Sequence, residues 1–104
     1  MAAVLVDTNV LVYAYDRGEP TKQEQAIRLL DALQVAGNGR LTAQVLGEFL
    51  RATTKPPAPM LTQGQAQQQI DNFIASWTVL DTTTMVVQEA VRGVLTHHLS
   101  YYDA

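Results

Sequence analysis

The sequence predicts an α/β chain with a three-layer α/β/α architecture, in which a parallel sheet is covered by helices on both faces. Three observations carry this. Short runs of β-formers, Val4-Leu5-Val6, Arg40-Leu41-Thr42 and Trp77-Thr78-Val79-Leu80, stand well apart along the chain. The stretches between them place apolar residues at helical spacing. Gly, Pro and Asn punctuate the joints, as at Gly18-Glu19-Pro20, Gly37-Asn38-Gly39 and Pro56-Pro57-Ala58-Pro59. Strands that alternate with helices have crossovers long enough to run parallel, and the crossover helices cover the sheet.

The first strand, Val4 to Val6, runs straight into a carboxylate, Asp7. Val10 to Tyr15 then reads as a short helix, and Asp16 to Pro20 as a loop. Thr21, with Glu24 three residues on, has the form of a capping box. Ala26, Ile27, Leu29, Leu30 and Leu33 form the apolar face of the helix it opens, which Gly37-Asn38-Gly39 ends. Arg40 to Thr42 makes the second strand, and Thr42 is placed to cap the next helix. In that helix Val45, Leu46, Phe49 and Leu50 face inward, while Gln44, Glu48 and Arg51 share another face. Lys55 to Pro59 is a stiff surface connection. Thr62 and Gln65 again fit a capping box, with Ala66, Ile70, Phe73 and Ile74 along one side of the helix. Trp77 to Leu80 is the third strand. From Asp81 another helix is expected, with Val87, Ala90, Val91, Val94 and Leu95 as its stripe and His97-His98-Leu99 at its end.

A chain of 104 residues holds a single domain, spanning residues 1–104. Ten acidic against seven basic residues give a net charge of −3, which is not the basic footprint usual for nucleic-acid binding. A protein that meets phosphates through metal ions can still act on them, because the metal carries the positive charge. With no cysteine, disulfides, thiolate metal sites and cysteine nucleophiles are excluded. No signal peptide or membrane-spanning run is recognisable, so a cytoplasmic protein is expected.

Three acids are candidates for a ligand site, each with a structural alternative. At the carboxyl end of a parallel strand the chain turns and leaves a crevice, and Asp7 sits on its lip. It either caps the helix beginning near Asn9 or binds a cation, since a charge beside an apolar run is costly unless partnered. Glu48 either pairs with Arg51 one turn on or faces the same crevice. Asp103 closes a capping box opened by Ser100, or projects as a ligand, and the two are compatible. Adjacent His97 and His98 point about 100° apart on a helix and do not converge on one ion. Trp77 and the tyrosines suit a core or an interface.

Taken together, Val6-Asp7-Thr8-Asn9-Val10-Leu11, Thr42-Ala43-Gln44-Val45-Leu46-Gly47-Glu48-Phe49 and Tyr102-Asp103-Ala104 resemble the first three acidic motifs of a PIN domain, nearest to the VapC-type toxin ribonucleases. The resemblance runs the length of the chain. It implies a metal-dependent endoribonuclease, the toxin of a type II toxin-antitoxin system, with the acids gathered around Mg2+ or Mn2+. On that resemblance Asp7 and Asp103 hold the metal and Glu48 completes the catalytic cluster. Thr8 or Asn9 orients Asp7 or the scissile phosphate. Hard oxygen ligands suit such an ion, which activates water and stabilises charge on phosphate.

The chain ends one residue after Asp103, short of the family's fourth acidic position, so the C-terminal strand or strands are expected to be missing. An unpaired sheet edge and an uncovered apolar surface then favour a homodimer or larger assembly. RNA is the expected substrate, recruited by local cations such as Arg17, Arg51 and Lys55, and an antitoxin protein is a possible partner. The alternative is a catalytically incomplete PIN remnant that acts only by associating with itself or with an antitoxin. An aspartyl phosphotransferase resembling haloacid dehalogenases expects a second aspartate two residues after the first, where Asn9 stands here.

Overall fold

The computed structural model describes residues 3–81. The elements are β1 (Val4–Leu5), α1 (Thr8–Tyr13), α2 (Pro20–Ala36), β2 (Gly39–Thr42), α3 (Ala43–Thr53), α4 (Gln63–Ser76) and β3 (Thr78–Leu80). The strands form one parallel sheet in the order β1-β2-β3, with Val4 opposite Gly39 and Arg40 opposite Thr78. The α/β class with a parallel sheet is therefore as expected, with three strands and four helices. The expected helix after Asp81 lies outside the described residues, as do His97, His98 and Asp103.

Alternate backbone bonds lace β1 to β2. Val4 N–H donates to the Asn38 carbonyl at 2.9 Å, and Val6 N–H to that of Arg40 at 3.0 Å. Pairing thus extends to Val6 and leaves Asp7 as the first residue beyond it. Both strands run the same way, so α1 and α3 begin at the same edge of the sheet.

The core is one cluster in which Val10, Leu11, Leu41, Phe49 and Ala26 are fully buried, joined by Val6, Leu30, Leu33 and Leu46. In α2 the buried residues are Ala26, Leu30 and Leu33, one face at spacings of four and three. Ile27 was expected on that face but is 42% exposed, because it lies about 100° around the helix from Ala26. On α4 Ile74 departs in the same way, at 56% exposed, whereas Ile70 and Phe73 pack against the core. α1 packs on α2 and α3, and α3 packs on α4. None of the described helices is long and apolar enough to cross a membrane.

The element boundaries carry local reasons. α1 starts at Thr8, two residues before the expected Val10, because Asp7 caps it. α2 starts at Pro20 with Glu19 at the N-cap and no side-chain cap, so the expected Thr21/Glu24 capping box does not form. Pro20 has its φ already near the helical value and no N–H to leave unsatisfied, so it takes the first helical position and puts Thr21 inside the helix. The Thr62/Gln65 box does form: Gln65 N–H donates to Thr62 Oγ1 at 3.1 Å and Thr62 N–H to Gln65 Oε1 at 2.9 Å. Gly37, at φ 72°, ends α2 in the left-handed region as expected. Trp77 caps the end of α4, and β3 begins at Thr78.

Candidate active site

The candidate site lies where the first turn of α1 meets the outward face of α3. Asp7 leaves β1 in an extended conformation, and its Oδ1 accepts the Asn9 backbone N–H at 3.1 Å. That is the capping role foreseen for it, and it fixes where the carboxylate projects from the sheet edge. Thr8, the first helical residue, is buried at 9% exposure. Its hydroxyl donates to Glu48 Oε2 at 2.8 Å.

Glu48 reaches that point because of how α3 is anchored. Thr42, the last residue of β2, turns its Oγ1 to accept the Val45 N–H at 3.1 Å, so the helix starts directly at the sheet edge. Leu46 and Phe49 then enter the core, with Val45 and Leu50 half-buried beside them. This turns Gln44 and Glu48, four residues apart, onto one outward stripe. Gln44 Nε2 donates to Glu48 Oε1 at 3.0 Å. Each oxygen of the Glu48 carboxylate thus accepts one side-chain hydrogen bond, which fixes its plane and rotamer. The pairing with Arg51 considered from the sequence does not form among the described residues, where Arg28 with Glu24 is the ion pair.

Aromatic packing braces the helices behind the site. The Tyr15 ring stands edge-on to Phe49 at 5.4 Å, and Phe49 to Phe73 at 5.8 Å. Tyr15 Oη donates to Gln69 Oε1 at 2.7 Å, which links the chain after α1 to α4. Burial raises the Tyr15 phenol above its ordinary value.

Of the residues singled out from the sequence, the structure brings Thr8 and Glu48 into direct contact and places Asp7 next to Thr8 at the sheet edge. Asn9 is exposed and contributes its backbone N–H to Asp7. Asp103 lies outside the described residues. Among the described residues no three acidic, histidine or cysteine side chains come together as a metal site. Gln44 was placed on the Glu48 face without a role, although its i, i+4 spacing was a visible signal.

Across residues 4–104 the sequence matches the PIN domain family. The chain belongs to that family. No match is found among curated proteins. PIN domains are in general metal-dependent nucleases that use a divalent ion. The donors nearby are of the hard kind such an ion prefers: Asp7 and Glu48 carry carboxylate oxygens, Thr8 a hydroxyl, and the chain has no thiolate to favour a softer metal.

Proposed function

We propose that this PIN domain is a metal-dependent endoribonuclease of the VapC type, acting in the cytoplasm as the toxin of a type II toxin-antitoxin system. The observation that carries the reading is the Thr8 to Glu48 hydrogen bond, 2.8 Å long, which joins the first acidic motif to the second across the sheet edge. In this reading Asp7 and Asp103 hold Mg2+ or Mn2+, and Glu48 completes the cluster. Bound there, the ion supplies Lewis acidity toward the phosphate and lowers the pKa of a water. The chain's own residues prepare the site. Thr8 and Gln44 hold Glu48 by one oxygen each, and Asn9 fixes the direction of Asp7 through its N–H. Preorganised acids do not have to reorient as charge develops on the phosphate.

An antitoxin protein and a second copy of the chain belong to the same reading as partners. Exposed Ile27 and Val35 on α2 and Ile74 on α4 are apolar side chains available to such contacts.

The test is calorimetric titration with Mn2+ followed by cleavage of a mixed RNA, with Asp7→Asn as the comparison. Both signals are expected from the natural sequence, and both should vanish in the variant. Metal binding that survives in Asp7→Asn, or RNA left intact by a protein that binds Mn2+, overturns the nuclease assignment.

A further inference from the structure

Among the described residues the cations are Arg17, Lys22, Arg28, Arg40, Arg51 and Lys55. Three are committed. Lys22 donates to Tyr13 Oη at 3.3 Å and lies over its ring, Arg28 pairs with Glu24, and Arg40 donates to the carbonyls of Gly37 and Gly39. Of the other three, two line the same groove.

That groove, about 710 Å³, is walled by Glu48, Arg51, Ala52, Thr54, Lys55 and Pro56. It is a shallow depression open to solvent, which suits a strand lying across the surface better than a single enclosed ion. Glu48 is also part of the candidate site, so the groove opens directly from it. Arg51 stands in the last turn of α3 and Lys55 just past its end, both exposed and without a hydrogen-bond or ion-pair partner among the described residues. In a chain of net charge −3 this leaves two uncommitted positive charges on one path that starts at a catalytic acid.

We infer that this groove carries the RNA strand flanking the scissile bond, with Arg51 and Lys55 each taking one backbone phosphate; the inference rests on the nuclease reading above. The groove reads backbone and not sequence. Ala52 and Pro56 offer only apolar surface, and the Thr54 hydroxyl is already donated to the Leu50 carbonyl at 2.6 Å. No uncommitted amide or hydroxyl side chain lines it to read a base edge.

The experiment measures binding of fluorescent single-stranded RNA to the full chain in EDTA over a range of salt, with Mn2+-dependent cleavage of the same RNA scored separately. Each lost phosphate contact on a single strand flattens the slope of log K against log salt by about 0.7, so Arg51→Gln with Lys55→Gln should flatten it by about 1.4. Two RNAs of unrelated sequence should show the same change, and Arg28→Gln, which removes one positive charge outside the groove, should show none. If the natural chain cleaves RNA but the double variant keeps its full slope, the groove assignment fails alone and the nuclease reading stands. A slope loss confined to one sequence, or matched by Arg28→Gln, also overturns the groove. If the natural chain neither binds nor cleaves RNA, both fall together.

Discussion

Asp7 holds two jobs that a single substitution can separate. Its Oδ1 caps α1 through the Asn9 N–H, and its charge stands at the sheet edge beside Thr8. Asparagine caps a helix about as well as aspartate, while alanine at an N-cap costs roughly 0.5 to 2 kcal/mol. Asp7→Asn is therefore expected to keep the urea midpoint while losing Mn2+ binding, and Asp7→Ala to lose both, with stability down by about 1 kcal/mol. Equal destabilisation by the two variants would mean that the carboxylate charge, and not the cap, supports the fold. Asp7 is visible from local pattern, because a charge there follows an apolar run, whereas Glu48 and Asp103 each have a plain local explanation and stand out only through the resemblance of their motifs to the family. The bond between the first two motifs is not visible, since Thr8 and Glu48 are forty residues apart and local pattern speaks only of neighbours within a turn or two.

Whether an element's boundary was legible depended on whether one local signal stood alone. At α4 nothing competed with Thr62 and Gln65, and the capping box is there. At α2 Pro20 adjoined Thr21, and the ring's fixed φ started the helix two residues sooner. Gly39 is a subtler case. From the sequence it was only part of a turn, yet it opens β2 and is buried. A Cβ built there would lie 2.3 Å from Trp77 Cζ3 and 3.0 Å from Leu33 Cβ. The end of α4 can press against the start of β2 only because this position has no side chain. Gly39→Ala must push the indole or the α2 face aside, an overpacking that costs roughly 1 to 3 kcal/mol. Thermal or urea unfolding would read that loss, and Trp77→Leu in the same chain should restore part of it. If Trp77→Leu adds its own cost in full, the two sites are not coupled and the close approach is not what glycine serves.

At the scale of the whole molecule, α1, α3 and α4 are tied together through aromatic contacts whose pairing no periodicity announces. Tyr15 touches Phe49 of α3, bonds Gln69 of α4 and, two residues past the end of α1, donates its N–H to the Val12 carbonyl of that helix, so its ionisation state bears on all three helices. Its phenol is raised above the ordinary value near 10 by desolvation. Below that pH the ring is neutral in folded and unfolded chains alike, and pH has no purchase through it. Above it the unfolded chain releases a proton that the folded chain still holds, so stability falls with pH until the folded phenol ionises as well. Lys22 is also raised, chiefly by its hydrogen bond to Tyr13, and works in the same direction: that contact favours folding below its ordinary value of 10.5 and is lost above. Tyr15→Phe should therefore be less stable than the natural sequence near neutrality, by the one hydrogen bond to Gln69, but lose less on going to about pH 11. Urea midpoints of the two proteins measured from neutral to alkaline pH should converge. Parallel lines would show that the Tyr15 phenol titrates alike in folded and unfolded chains, and that Lys22 and other groups carry the alkaline loss.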